Sequence, residues 1–317
     1  MNLIKFNEIF TDEASCRLYL KNKREKQGIV CKKCNGTKHY WLTNVEKWRC
    51  ANCKTCLNLR SGTIMEKSKL PVYNWFLAIH LVSSVKKSFS ALEMQKQLGS
   101  KRYEPVWYMM HKIRRTMGKR DSQYKLKGEI EVDDTYFEIV DLISKKDELG
   151  NKKEMPAKNK SKHGRGTENK ISVLVMVESK ANPKQAKPHK KKRIMGYVKM
   201  KVIDDLNKIG INYEIQNAID PKSVVITDGL RSYNDVGQVV DKHIALKVPP
   251  EQAPKMLPWV HTVISNAKRL FLGIHHSVNQ GYIQNYLDEF CYKLNRRNFD
   301  SDLFDRIITA GITDTWY

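Results

Sequence analysis

No stretch of the chain approaches the roughly 18 unbroken apolar residues that a membrane span needs, so no membrane partner is expected. The opening MNLIKFNEIFTDEASCRLYL lacks a basic start, a continuous apolar run and a small-residue cleavage site. It does not read as a secretory leader, which predicts a cytoplasmic protein. Acidic residues are scarce: 34 Asp and Glu stand against 57 Lys and Arg, a formal net charge of +23. That imbalance calls for an anionic partner. Nucleic acid is the first candidate, because each phosphate neutralised releases condensed counterions and the gain accumulates along a duplex. The basic residues are spread along the whole chain instead of forming one amphipathic helix, which disfavours an anionic membrane surface. Cysteine is almost confined to one cluster, with five of the 7 between Cys31 and Cys56 and only Cys16 and Cys291 elsewhere, both read as structural. Without export signals, such clustering argues for metal and against disulfides.

Cys31 and Cys34 form one CxxC pair and Cys50 and Cys53 a second. Each pair turns tightly enough to aim two thiolates at one ion, and the intervening YWLTNVEKWRC reads as a hairpin that brings the pairs together. Four thiolates fill a tetrahedral set, which predicts a structural Zn²⁺ ribbon. Cys53 and Cys56 also have CxxC spacing; pairing Cys50 with Cys53 matches the first knuckle and leaves Cys56 as a small buried residue.

Beyond the ribbon, Trp75, Phe76, Ile79, His80 and Val82 have helical spacing after Pro71. Ser90 with Glu93 has the capping-box pattern of a second helix ending near Leu98 and Gly99. A third begins near Glu104 and Pro105. Helix, short glycine-containing turn, then a basic aromatic helix is the outline of a helix-turn-helix, although a small helical bundle shares it. Arg102, Trp107, Lys112, Arg114 and Arg115 are the DNA-binding candidates on this segment, with His111 read as a packed histidine.

From residue 129 the pattern changes to strands: EIEVDDTYFEIV, ISVLVMVES, RIMGYVKMKVI and SVVITDG. Two of these place acids at strand ends, the arrangement that lets carboxylates converge on Mg²⁺ in phosphoryl transfer. Asp133 and Asp228 are the leading ligands, although either alone also fits a turn or cap residue. Glu131, Asp134, Asp288 and Glu289 are acidic neighbours, the last two in a helical pattern near Arg296 and Arg297. His261, His275 and His276 have no zinc spacing and are candidates for touching the site or DNA.

In order along the chain, EVDDTYFE, VVITDGLRSY, WVHTVISNAKRLFLGIHHSV and YLDEFCYKLNRR resemble the blocks of a bacterial and archaeal group of insertion-sequence transposases with an N-terminal zinc ribbon. The ribbon and SGTIMEKSKLPVYNW extend the resemblance over about residues 12 to 300. It implies a DDE-type, RNase H-like catalytic domain in which Asp133 and Asp228 are the first and second ligands of Mg²⁺ or Mn²⁺. The third position falls on Asn266, where other transposases usually have Glu, and Lys268 matches a lysine recurring just after it. An amide oxygen ligates Mg²⁺ but brings no charge and takes up no proton, so Lys268 would offset phosphate charge or orient the DNA strand. Arg269, in the same block, is a further DNA-binding candidate.

The expected fold class is therefore α+β and multidomain: zinc ribbon and helix-turn-helix-like helices, then an RNase H-like α/β domain with a mixed central sheet flanked by helices. The expected boundaries are an N-terminal helix over 1–25, the ribbon over 26–62, the DNA-binding helices over 63–122, the catalytic domain over 123–300 and a helical tail over 301–317. The tail is expected to pack beside the catalytic sheet. Two lysine-rich segments, KKDELGNKKEMPAKNKSKHGRGTENK and ANPKQAKPHKKKR, read as loops suited to phosphate contact. The resemblance implies a transposase that binds terminal inverted repeats and catalyses cleavage and strand transfer of double-stranded DNA as a homodimer or larger assembly, in the cytoplasm with the nucleoid. A non-catalytic zinc-ribbon DNA-binding protein and a nuclease of the same fold are the alternatives.

Overall fold

The computed structural model describes residues 1–139, 142–146, 152–156, 170–183, 192–204, 206–246, 253–275, 278–299 and 303–313. The chain forms two compact units, one of residues 1–120 with 296–317 and one of residues 121–295.

The first unit starts with α1 (Leu3–Ile9) and α2 (Glu13–Gln27), the latter opened by a capping box between Asp12 and Ser15. The ribbon follows as an antiparallel meander of β1 (His39–Leu42), β2 (Lys47–Cys50) and β3 (Cys56–Asn58). Trp48 on β2 is buried, packs on Trp41 with ring centroids 4.7 Å apart, and donates its indole N–H to Glu25 of α2 at 3.0 Å. The helices are α3 (Val72–Ser84), α4 (Ala91–Gln97) and α5 (Tyr103–Ser122). Ser90 caps α4 as its sequence predicts, accepting the Glu93 N–H at 3.0 Å. Pro71 has no side chain able to cap α3. Glu13 of α2 does so instead, one carboxylate oxygen accepting Val72 N–H at 3.0 Å and the other Tyr73 N–H at 2.8 Å.

The second unit is built on a five-stranded sheet. Its strands are β4 (Glu129–Glu138), β7 (Lys170–Ala181), β8 (Arg193–Ile203), β9 (Val224–Asp228) and β10 (Lys242–Leu246); a separate hairpin of β5 (Leu142–Lys146) and β6 (Lys152–Pro156) lies between β4 and β7 in sequence. The sheet order is β10-β9-β4-β7-β8, antiparallel from β4 to β8 and parallel from β4 to β10. Numbered within the sheet in chain order and read from the β8 edge, this is 3-2-1-4-5, an RNase H-like arrangement. One face packs against α6 (Lys208–Ala218) through Ile130, Val132, Leu174, Met176, Val225, Ile211 and Ile215. The other packs against α8 (Pro258–Ile274), which follows the short α7 (Ala253–Met256), and against α9 (Ile283–Asn295).

α9 also closes the edge of the sheet. Asn295 accepts Val198 N–H at 2.7 Å and donates to Val198 C=O at 2.9 Å, while Gln284 accepts Val202 N–H at 2.9 Å and donates to Met200 C=O at 3.1 Å. Two side-chain amides thus stand in for a neighbouring strand along β8 and satisfy an edge that would otherwise template pairing with another chain.

The last helix, α10 (Leu303–Thr313), departs from expectation. It belongs to the first unit, where it packs against α2 and α3, and not to the unit that holds the sheet. Its Phe304 ring completes an aromatic cluster, with centroids 5.5 Å from Phe10 and 5.6 Å from Phe76, and Asp305 takes the Tyr19 hydroxyl and Lys23. Most of both lysine-rich segments lies outside the described residues, as does His276.

Candidate active site and metal centre

The two cysteine knuckles are built alike. Asn35 and Lys54, the residues just after each CxxC, have φ of 55° and 62°, and their N–H groups return to Cys31 C=O and Cys50 C=O at 2.9 and 3.1 Å. Cys31 and Cys50 N–H close each turn on Gly36 and Thr55 carbonyls, both at 3.0 Å. A Cβ on Gly36 would lie 2.9 Å from the Asn52 amide and 3.4 Å from the sulfurs of Cys34 and Cys50, so the first knuckle is tightly packed around this glycine. The sulfurs of Cys31, Cys34, Cys50 and Cys53 lie within 4.8 Å of one another, with 3.5 Å between Cys31 and Cys53 and between Cys34 and Cys50. Tetrahedral Zn–S bonds of about 2.3 Å would put the sulfurs about 3.8 Å apart, so this donor set fits zinc. The Thr55 hydroxyl beside Cys53 pulls that thiol down to about 6, toward the thiolate that metal binding needs. Cys56 is exposed, contrary to the expected buried position, because β3 alternates and turns only Leu57 inward. Cys16 and Cys291 are buried.

In the second unit, strand alternation separates the adjacent acids. Ile130 and Val132 face α6, so Glu131, Asp133 and Phe137 face α8, and Asp134 turns back to accept the Tyr233 hydroxyl at 2.9 Å. β9 runs parallel to β4 with Glu131 beside Ile226, and the same register carried two residues on sets Asp133 beside Asp228. Val225 faces α6 and Ile226 faces α8, so Asp228 shares the face of Asp133. Burial, then the Asp134 and Asp228 carboxylates, push Asp133 up to about 7, against the Asp134 N–H at 2.9 Å and the charge of Lys268. Burial also raises Asp228, opposed by the Leu230 N–H and by His261. Carboxylates gathered in a half-buried place are a fit for a divalent cation, which would relieve both the like-charge and the burial cost.

Glu131 is engaged in capping a helix in this arrangement. α8 begins with Pro258 and has no side-chain cap of its own, and one Glu131 oxygen accepts Trp259 N–H at 2.8 Å and Val260 N–H at 3.0 Å. This is the device by which Glu13 holds α3. It pins the first turn of α8 to β4 and sets His261 against Asp133, with Nδ1 3.8 Å from Oδ2. Nε2 of His261 is buried with no hydrogen-bond partner.

The candidates taken from sequence are thus distributed unevenly. Lys268 lies seven residues beyond His261, within about 20° of it around the helix, and its charge reaches Asp133. Asn266 is exposed and five residues beyond His261, about 140° around α8, on another flank. Arg102, Arg115 and Arg269 are exposed, and Trp107 is half-buried against His111, 4.2 Å between centroids. Arg114 is 1% exposed and donates to Phe89 C=O at 3.1 Å, so as placed it is a core group of the first unit and not an outward-facing one. Lys112 is half-buried and donates to Glu66 C=O at 3.0 Å. Asp288 accepts from Gln284 at 2.8 Å and Glu289 pairs with Lys293 at 3.0 Å, both on α9 and apart from the acid pair. His275 packs on Tyr286, 4.4 Å between centroids.

The model of the ISXO2-like transposase domain matches residues 125–295, and that of the transposase zinc-ribbon domain matches residues 11–56. A protein of Halobacterium salinarum described as an uncharacterized protein in transposable element ISH50 is 23% identical over 188 residues, 57% of this chain and 60% of the relative. The chain therefore spans about 60% of that relative's length. Among solved structures, the Mos1 mariner paired end complex with Mn aligns with a TM-score of 0.31 and 13% identity, covering 76% of this chain and 78% of the other. The Mos1 strand transfer complex gives 0.30 and 13%, covering 76% and 77%.

Proposed function

From the premise that the chain belongs to the family of ISXO2-like transposases, we propose that it is a metal-dependent polynucleotidyl transferase that cuts DNA at the ends of a mobile element and joins the freed 3′ hydroxyl to target DNA. The observation that carries this reading is the parallel register of β4 and β9, Glu131 beside Ile226, which carried two residues on supports Asp133 and Asp228 as neighbours on the α8 face. Asp133 and Asp228 would hold Mg²⁺ or Mn²⁺. When bound, the cation polarises the phosphate and lowers the pKa of the attacking water or hydroxyl. In the first step water attacks phosphorus and the 3′ oxygen leaves; in the second that 3′ hydroxyl attacks a target phosphate and displaces a new 3′ oxygen. Neither step needs a covalent enzyme intermediate, so the chain's part is positioning and charge. Lys268, on the flank of α8 that faces the acids, would meet the phosphate charge.

The four ribbon cysteines would hold structural Zn²⁺. Arg102, Arg115 and Arg269 present outward charge for phosphates of the terminal repeats, and Trp107 an aromatic face. Two element ends call for at least a dimer on DNA. The test is strand transfer with Mg²⁺ or Mn²⁺ on DNA carrying the element's own ends, comparing wild type with Asp228→Asn. Joined products lost in the variant are expected. Cleavage without joining would instead favour a nuclease, and binding without cleavage a non-catalytic DNA-binding protein.

A further inference from the structure

Three features of α8 do not fit a site in which Asn266 is the third protein group. Asn266 sits on another flank of the helix from the acids. His261 occupies the flank facing them, 3.8 Å from Asp133 through Nδ1 and close enough to Asp228 for the two to influence each other's charge. The other ring nitrogen, Nε2, is buried and lacks a hydrogen-bond partner, a position that costs free energy unless something fills it. Glu131 fixes this geometry, because its two hydrogen bonds to the N–H groups of Trp259 and Val260 leave the next residue, His261, little freedom to turn away from β4.

We propose that His261, and not Asn266, is the third protein group at the divalent-cation site of Asp133 and Asp228, supplying an imidazole nitrogen. The inference rests on the reading of that site as a cation site. An Asp-Asp-His set differs in kind from three carboxylates. It carries one negative charge fewer, and its nitrogen donor favours Mn²⁺ and later transition ions over Mg²⁺, which prefers oxygen. Asn266 is left free for another duty on the exposed flank of α8, beside Arg269.

The probe is Mn²⁺ added to full-length, zinc-loaded protein. Binding is counted from loss of the free aquo-ion signal in electron paramagnetic resonance, in wild type and in Asp228→Asn. Pulsed measurements on the bound ion then read nitrogen coupling. The expected result is a ¹⁴N coupling in wild type that converts to ¹⁵N when only histidine is labelled, vanishes in His261→Ala and persists in Asn266→Ala. Mn²⁺ affinity should fall roughly tenfold or more in His261→Ala and change little in Asn266→Ala. Histidine labelling of wild type keeps the test valid even if His261→Ala folds poorly. Mn²⁺ bound in an Asp228-dependent way with no histidine coupling, or coupling that survives His261→Ala, would overturn the assignment while leaving the cation site standing. Absence of any Asp228-dependent Mn²⁺ binding would overturn the cation site, and the assignment with it.

Discussion

Asp133 and Asp134 are adjacent and feel each other's charge, yet their side chains diverge, one facing α8 and the other Tyr233. The difference has a pH signature. Asp133 titrates near 7 in the folded chain against an ordinary value of 3.8, so between those values the folded state keeps a proton that the unfolded chain has released. Stability contributed by this group therefore falls as pH rises through that window. In metal-free protein, Asp133→Asn should raise Tm more at pH 8 than at pH 5, and calorimetry at the two values checks it. At the ribbon, Cys50→Ser should abolish zinc retention, read by metal analysis, and red-shift tryptophan emission as Trp48 loses its packing. The gathering of the four cysteines and the strand positions of the two aspartates were legible because their signal is local, a spacing or a strand end. Arg114 was not, since a basic residue in a helix reads as outward until its phase against the core is known. Asn266 was assigned by resemblance alone, whereas the phase of α8, anchored by Val260, Val263, Ile264 and Ala267, turns His261 and Lys268 to the acids.

At the level of elements, α3 and α8 share a problem and its solution. Each starts at a proline that offers no side-chain cap, and each borrows a glutamate from another element to accept two N–H groups. Glu131→Ala should cost about 1–3 kcal/mol, the cost of stranding buried donors, and a urea unfolding midpoint measures it. Because the same residue sets His261 in place, the variant should also lose Mn²⁺ affinity, which a purely structural loss elsewhere would not cause. Four sheet strands were legible from apolar runs. β10 was missed because KHIAL is a short edge strand of mixed polarity, and α6 because KIGINYEIQNA buries only Ile211, Ile215 and Ala218 and leaves Ile209 82% exposed. No sequence pattern announced that Gln284 and Asn295 would finish the edge of β8. Polar residues three turns apart on a helix look like solvent-facing ones until a strand is placed beneath them.

For the whole molecule, a net charge of +23 would make the proposed DNA affinity a function of salt. If the proposed DNA contacts form, log Kd should rise with log salt at about 0.9 per phosphate neutralised, and fluorescence anisotropy over a salt series should give a slope of several. A slope near zero would count against extensive phosphate contact. The division into two units was only partly legible: the change from helical to strand pattern near residue 129 marks one junction, but nothing in NRRNFDSDLFDRIITAGI says which core it joins. Phe304 decides it, through the rings of Phe6, Phe10 and Phe76. That placement imposes a timetable on synthesis. The rings near the start of the chain wait for one near its far end while roughly 175 residues of the inserted unit are made, a delay of about 10–35 s at typical ribosomal speeds. During that interval the nascent unit shows an unfinished aromatic face, and molecular chaperones that hold apolar surface should bind the growing chain until α10 emerges.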